Sequence, residues 1–195
     1  MDFLVPIFTD PVQNYKGDWN WYTMSMQKNI LITGKPKSGK STLLQKIIKT
    51  IPNKIGFVTP EIRENGERVG FTIETSDGGK FTLAHVNFET PHKVSKYFVD
   101  IPSFEKGIEV ISNFNDSHFL YIDEIGQAQL FSDNFKDLVL NYFNSSNKCL
   151  VTLTCVYEDG FISEIKKRDD VTIIEITPEN REEQEKNIIR LIALR

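Results

Sequence analysis

Apolar positions recur along this chain with two different periods, and their succession predicts an α/β fold. Asn29-Ile30-Leu31-Ile32-Thr33 is a continuous apolar run of the kind a fully buried strand requires. From Lys40 onward the spacing becomes helical: Leu43, Leu44, Ile47, Ile48 and Ile51 share one face until Pro52 stops the helix, predicting a helix over 40–51. A short apolar run at 55–58 predicts a second strand. Val69, Phe71, Ile73 and then Phe81, Leu83, His85 alternate with mostly polar residues around Ser76-Asp77-Gly78-Gly79, which predicts an antiparallel β-hairpin inserted into the α/β repeat.

The second half continues the alternation. Phe104, Ile108 and Ile111 predict a helix over 103–114, starting at Ser103 after Pro102. Phe119-Leu120-Tyr121-Ile122 reads as a strand that ends in Asp123-Glu124. Helices are predicted over 133–143 and 160–167, strands over 149–153 and 171–176, and a last helix from Pro178-Glu179-Asn180 to Leu194, with Ile188, Ile189, Leu191 and Ile192 available for packing. This order implies a mostly parallel sheet covered by helices on both faces, with ligands at the carboxyl ends of the strands. Gly34 and Asp123 lie at two such ends. Residues 1–28, which hold Trp19, Trp21, Tyr22 and Met24, read as an N-terminal arm, and 29–195 as one domain.

Between the first strand and the first helix, Gly34-Lys35-Pro36-Lys37-Ser38-Gly39-Lys40-Ser41-Thr42 fits G-x-x-x-x-G-K-[ST]. Glycines let the backbone turn its N–H groups inward on an anion, and the helix N-terminus adds its positive dipole end. The expected ligand is a nucleoside triphosphate. Lys40 would reach the β- and γ-phosphates, and the Ser41 hydroxyl would meet the Mg²⁺ that the polyphosphate carries. Asp123 would complete the metal shell, and Glu124, one residue on, is the candidate general base or water-orienting group. Arg63, Arg68 and Arg168 are candidates for an arginine that stabilises charge on the transferred phosphoryl group. A glutamate beside the γ-phosphate favours hydrolysis. A nucleoside or nucleotide kinase, and a nucleotide-dependent switch that binds a protein partner, remain as rival readings.

Five motifs in order resemble those of a known family: the phosphate loop, Glu61-Ile62-Arg63-Glu64-Asn65-Gly66-Glu67-Arg68-Val69-Gly70-Phe71, Lys96-Tyr97-Phe98-Val99-Asp100, Ile122-Asp123-Glu124-Ile125-Gly126, and Thr177-Pro178-Glu179-Asn180-Arg181. The resemblance is to the small nucleoside-triphosphatases sometimes called cancer-related NTPases, and it covers about 29–191. It implies a P-loop NTPase three-layer sandwich of the additional-strand, catalytic-glutamate type. It further implies slow, Mg²⁺-dependent hydrolysis of several NTPs, ATP and GTP among them, to NDP and phosphate, with broad base tolerance. Arg63, Arg68 and Arg168 match arginines of the family. Two departures stand out. Lys37 occupies a loop position where the family usually has glycine, beside an unusual Lys35, and Gln127-Ala128-Gln129 replaces the family's Lys-Met-Glu.

Composition narrows the setting without changing this picture. A hydrophobic fraction of 39% with 26% charged residues is that of an ordinary globular protein, and no apolar run approaches the ~18 residues a membrane span needs. The net charge of −4 argues against a non-specific nucleic-acid binder. His85, His92 and His118 lack zinc-site spacing. The start of the chain lacks the apolar core and cleavage site of an export signal. Cys149 and Cys155 read as buried, reduced thiols, in keeping with a cytoplasmic protein. No membrane or nucleic-acid partner is expected, and a protein partner is left open.

Overall fold

The computed structural model describes residues 28–193. Strand β1 (Asn29–Thr33) runs parallel to β10 (Val171–Glu175) on one side and to β9 (Cys149–Leu153) on the other. Strands β8 (Phe119–Ile125) and β2 (Lys54–Val58) extend the parallel half. From β2 the sheet turns antiparallel through β4 (Glu67–Thr75), β5 (Lys80–His85), β7 (Tyr97–Val99) and β6 (Lys93–Val94), while β3 (Glu61–Glu64) pairs with β4. One mixed sheet of ten strands results, nine of them in the order β10-β1-β9-β8-β2-β4-β5-β7-β6 and the tenth, β3, beside β4 off this path.

Side-chain alternation divides the core into two layers. In β1, Ile30 and Ile32 face one side and Leu31 the other; in β9, Leu150 opposes Cys149, Val151 and Leu153. The first side is covered by α1 (Lys40–Ile48) through Leu43, Leu44, Ile47 and Ile48, and by α5 (Arg181–Ala193) through Ile188. The second side is covered by α2 (Ile101–Ser112), α3 (Asp133–Asn144) and α4 (Gly160–Lys166). Helices on both faces make the three layers. Fully burying one of these Leu, Ile or Phe side chains contributes about 1.5–3 kcal/mol, so the packed faces fix the register of each strand.

Several boundaries differ from the sequence pattern for local reasons. Helix α1 ends at Ile48, and the chain continues to Ile51 in tighter turns, with Thr50 and Ile51 N–H donating to the Ile47 and Ile48 carbonyls. Helix α2 starts at Ile101 because the Asp100 carboxylate accepts from Ser103 N–H, leaving Pro102 in the first turn, where its missing N–H costs nothing. Strand β8 runs on through Asp123 and Glu124 to Ile125. The inserted antiparallel part is larger than one hairpin. The charged sequence of β3 and the short β6 and β7 carry too little alternation to be visible beforehand. Cys149 is buried, as expected, but Cys155 is exposed, because β9 ends at Leu153 and the chain turns outward after the Thr154 N–H bond to Ile125 O. The arm lies outside the described residues, apart from Lys28, and so does the predicted end of the last helix at Leu194. Among the described residues no helix is long and apolar enough to cross a membrane.

Candidate active site

The phosphate loop follows β1 directly and is wedged between two neighbours. Gly34 has φ 140°, and a Cβ there would lie 2.3 Å from the Ile176 carbonyl oxygen, so the loop begins where only glycine fits. Gly39 has φ 100° and precedes α1 with no side chain capping the helix start, which leaves the first N–H groups to the loop. Lys37 adopts a left-handed conformation, φ 67°. The family glycine at this position therefore has a geometric reason, and this chain reaches the conformation with a lysine, at roughly 1–2 kcal/mol. Lys35, Pro36, Lys37, Ser41 and Thr42 are exposed, while Ser38 is buried and its Oγ has no hydrogen-bond partner.

Lys40 folds back across the loop, its ammonium donating to the carbonyls of Gly34 at 2.9 Å and Lys35 at 3.3 Å. Ser41 Oγ donates to Asp123 Oδ1 at 2.9 Å, joining the head of α1 to the end of β8. Asp123 is only 3% exposed. Its Oδ1 also accepts from Thr152 Oγ1 at 2.5 Å, and its main-chain carbonyl accepts from Thr59 Oγ1. Burial pushes the Asp123 carboxyl above its ordinary value, against the pull of the Thr152 and Ser41 hydroxyls and the Lys40 charge.

At Asp123-Glu124 the sheet breaks its own rule. The β8–β9 register shifts between Ile122 and Ile125, and the Asp123–Glu124 peptide is cis. A register shift of this kind re-aims the side chains at the end of a strand. Burial first, and then the adjacent Asp123 carboxylate, raise the Glu124 carboxyl from 4.5 to about 7, with Lys40 opposing. A carboxyl titrating near neutrality is suited to taking a proton from water. Glu124 Oε1 and Gln129 Oε1 both close on the same glycine: a Cβ at Gly126 would lie 3.1 and 3.2 Å from them.

The three arginines separate. Arg63 and Arg68 lie on the β3–β4 hairpin, which follows the carboxyl end of β2 and so rises on the same edge of the sheet as the loop. Both are held by Glu61, Arg63 at 2.6 Å and Arg68 at 2.9 Å, and Arg68 also donates to Tyr97 Oη at 2.8 Å. Arg68 and then Arg63 hold the Glu61 carboxyl below its ordinary value. Arg168 stands at the opposite edge of the sheet from the loop. It precedes the amino end of β10, pairs with Asp170 at 2.8 Å and donates to Phe143 O. The five-residue strand beside it puts roughly 16 Å between that end and the loop. Its pairing with Asp170 is structural.

The sequence reading did not single out Thr59, Thr152 or Arg181. The threonines sit among apolar or irregular residues and carry no motif. Arg181 was visible as the last residue of Thr177-Pro178-Glu179-Asn180-Arg181, but nothing in the spacing brought it to the loop; in the fold it lies against Gly39.

A parallel sheet with a glycine-rich loop after β1, an acidic pair at the end of β8, and β9 between them defines the P-loop NTPase class of α/β proteins. A family model described as NTPase matches residues 29–189. Nucleoside-triphosphatase THEP1 of Thermotoga sp. (strain RQ2) is 38% identical over 154 residues, 78% of this chain and 88% of the relative. The human cancer-related nucleoside-triphosphatase is 31% identical over 174 residues, 80% of this chain and 92% of its own. The crystal structure of THEP1 from the hyperthermophile Aquifex aeolicus superposes with a TM-score of 0.75 at 32% identity, over 85% of this chain and 99% of that one. The chain belongs to this nucleoside-triphosphatase family, whose members are hydrolases acting on NTPs.

Proposed function

We propose that this chain hydrolyses nucleoside triphosphates, ATP and GTP among them, to the diphosphate and phosphate in a Mg²⁺-dependent reaction carried by the domain from residue 29 onward. The observation that carries this reading is the Ser41 hydroxyl donating to the Asp123 carboxylate at 2.9 Å, which ties the helix after the loop to the strand end that also carries Glu124. A base and a metal-holding carboxylate one residue apart, at a strand end joined to the phosphate loop's helix, suit attack by water on a γ-phosphate.

The donor set fits Mg²⁺. This ion binds through one or two carboxylates and substrate phosphates, and the Ser41 hydroxyl and Asp123 carboxylate are oxygen donors 2.9 Å apart. Bound there, Mg²⁺ would neutralise charge on the β- and γ-oxygens. Inward N–H groups of the loop would take the phosphate oxygens, and Lys40 would exchange its bonds to the loop carbonyls for bonds to the phosphates. Glu124 would accept a proton from the water as its oxygen bonds to the γ-phosphorus. The bond from that phosphorus to the bridging oxygen then breaks, with the electron pair leaving on the diphosphate. Arg63 and Arg68, on the same edge, are the arginines available to meet the developing charge.

The free thiols Cys149 and Cys155 support a reducing, cytoplasmic setting, and the net charge of −4 supports a free nucleotide in preference to nucleic acid. Phosphate release from each common NTP with Mg²⁺, with and without added nucleosides, tests the function. Hydrolysis without an acceptor, abolished in Lys40→Ala, is expected. Phosphate appearing on an added nucleoside would make the protein a kinase, and a nucleotide-bound form without turnover would make it a switch.

A further inference from the structure

Arg181 is the first residue of α5 and lies on the phosphate loop itself. A Cβ at Gly39 would be 2.8 Å from Arg181 Nη1, 3.1 Å from its Cδ and 3.7 Å from Cζ, so the guanidinium and its stem run alongside the residue that precedes Lys40. Arg63, Arg68 and Arg168 each have a carboxylate partner. Among the described residues Arg181 has none, and it is exposed. An unpaired, planar cation is thus held at the rim of the loop.

The turn that presents it is stiff. Thr177 N–H donates to Asn180 Oδ1 at 2.8 Å, Asn180 N–H donates to Thr177 Oγ1 at 3.3 Å, and Asn180 Nδ2 donates to the Glu175 carbonyl at 2.9 Å. Behind the turn, α5 is anchored to α1 by the Lys46–Glu185 ion pair at 2.7 Å and by buried Ile188. Side-chain motion apart, Arg181 has a fixed base.

Strand order gives the direction of the ligand. Asp123 and Glu124 lie on β8, two strands from β1 on one side, while the Thr177–Arg181 turn follows β10, the neighbour on the other side. If the γ-phosphate faces Glu124, the nucleoside end of the chain leaves toward β10. We infer that the turn from Thr177 to Arg181 is the nucleoside-facing wall of the site, and that the Arg181 guanidinium offers its plane to the base. This rests on the phosphate-loop reading above. A guanidinium plane stacks on any base without reading its edge, because every base has a π-face. The site so built holds purine and pyrimidine nucleotides alike.

The test compares ATP, GTP and CTP with inorganic triphosphate, which carries the phosphates but no base, each with Mg²⁺. Binding is measured by calorimetry and turnover by phosphate release. Arg181→Ala should weaken binding and raise KM for each nucleotide about three- to tenfold with kcat unchanged, and leave inorganic triphosphate binding as in the parent. Arg181→Lys, which keeps the charge but loses the plane, should resemble Arg181→Ala. Equal losses for nucleotides and inorganic triphosphate, or rescue by lysine, would make Arg181 a phosphate contact and overturn the inference. So would nucleotide binding unchanged in Arg181→Ala. A parent protein that binds every nucleotide but hydrolyses none refutes the hydrolase reading instead, and the binding comparison still decides the role of Arg181.

Discussion

Thr152 Oγ1 and Asp123 Oδ1 are 2.5 Å apart at the buried ends of β9 and β8, so a hydroxyl on one strand fixes the carboxylate of the next. The same oxygen receives Ser41, which ties strand, strand and helix at one atom. Thr152→Val keeps the shape and removes the donor. Outer partners of this kind typically carry 10–100-fold in metal affinity or activity, so the Mg²⁺ concentration for half-maximal hydrolysis should rise about tenfold. Thr152→Ser should restore it. A Mg²⁺ titration of phosphate release is the measurement.

Glu124→Gln keeps the shape of the side chain but cannot take a proton. Turnover should fall by about 10²–10⁴-fold while nucleotide binding by calorimetry stays within a few-fold of the parent. Hydrolysis at the parent rate would remove Glu124 from the mechanism.

The pH dependence of kcat/KM follows from the same group. Its carboxyl is raised to about 7 in the free protein, and only the ionised form can accept a proton, so kcat/KM should rise with pH through that region and level off above it. A profile flat from about pH 5 to pH 8 would contradict the assignment.

Stability should move in the opposite direction. A carboxyl displaced upward in the fold favours the native state below its ordinary value of 4.5 and loses that contribution as pH climbs through about 7. The displacement corresponds to roughly 3 kcal/mol. In urea denaturation Glu124→Gln should therefore gain on the parent by roughly that amount between about pH 4 and about pH 8. The Glu124 carboxylate is held at the expense of the fold.

Lys37 and Arg168 make a contrasting pair. Lys37→Gly relieves a left-handed lysine and should stabilise the protein by up to roughly 1 kcal/mol while hydrolysis persists. Arg168→Ala removes a half-buried ion pair far from the loop, and should lower stability by about 1 kcal/mol with kcat unchanged. Equilibrium denaturation and initial rates separate the two effects.

The parallel half of the fold and the core of the site were legible because both rest on local rules. A buried strand, a glycine-rich turn and a helix in succession can hardly be read otherwise, and Ile122-Asp123-Glu124 ends an apolar run in two acids. What stayed hidden depends on distance through space. Arg168 looked as eligible as Arg63 and Arg68 because linear sequence does not say which end of a strand an arginine stands at. Thr152 is one polar residue in an apolar strand, and only the neighbouring β8 reveals that it faces Asp123. Cys155 follows an apolar run closely enough to read as part of it, although β9 ends at Leu153. Arg181 is separated from Gly39 by most of the chain.

Gly34 packs against the carbonyl of Ile176, and Ile176 N–H donates to Thr33 O at 2.8 Å, so the first residue of the phosphate loop leans on the end of β10. That strand is in turn hydrogen-bonded to β1 along its whole length, from Asn29 beside Val171 to Thr33 beside Glu175, and β1 leads into the loop. Native proteins open locally, and a segment that opens lets its amide hydrogens exchange with solvent. A ligand that binds only the closed form makes such openings rarer by its own binding energy. A nucleotide held by the loop would therefore slow amide exchange in β10 as well as in the loop, and the strand would report on whether the site is filled.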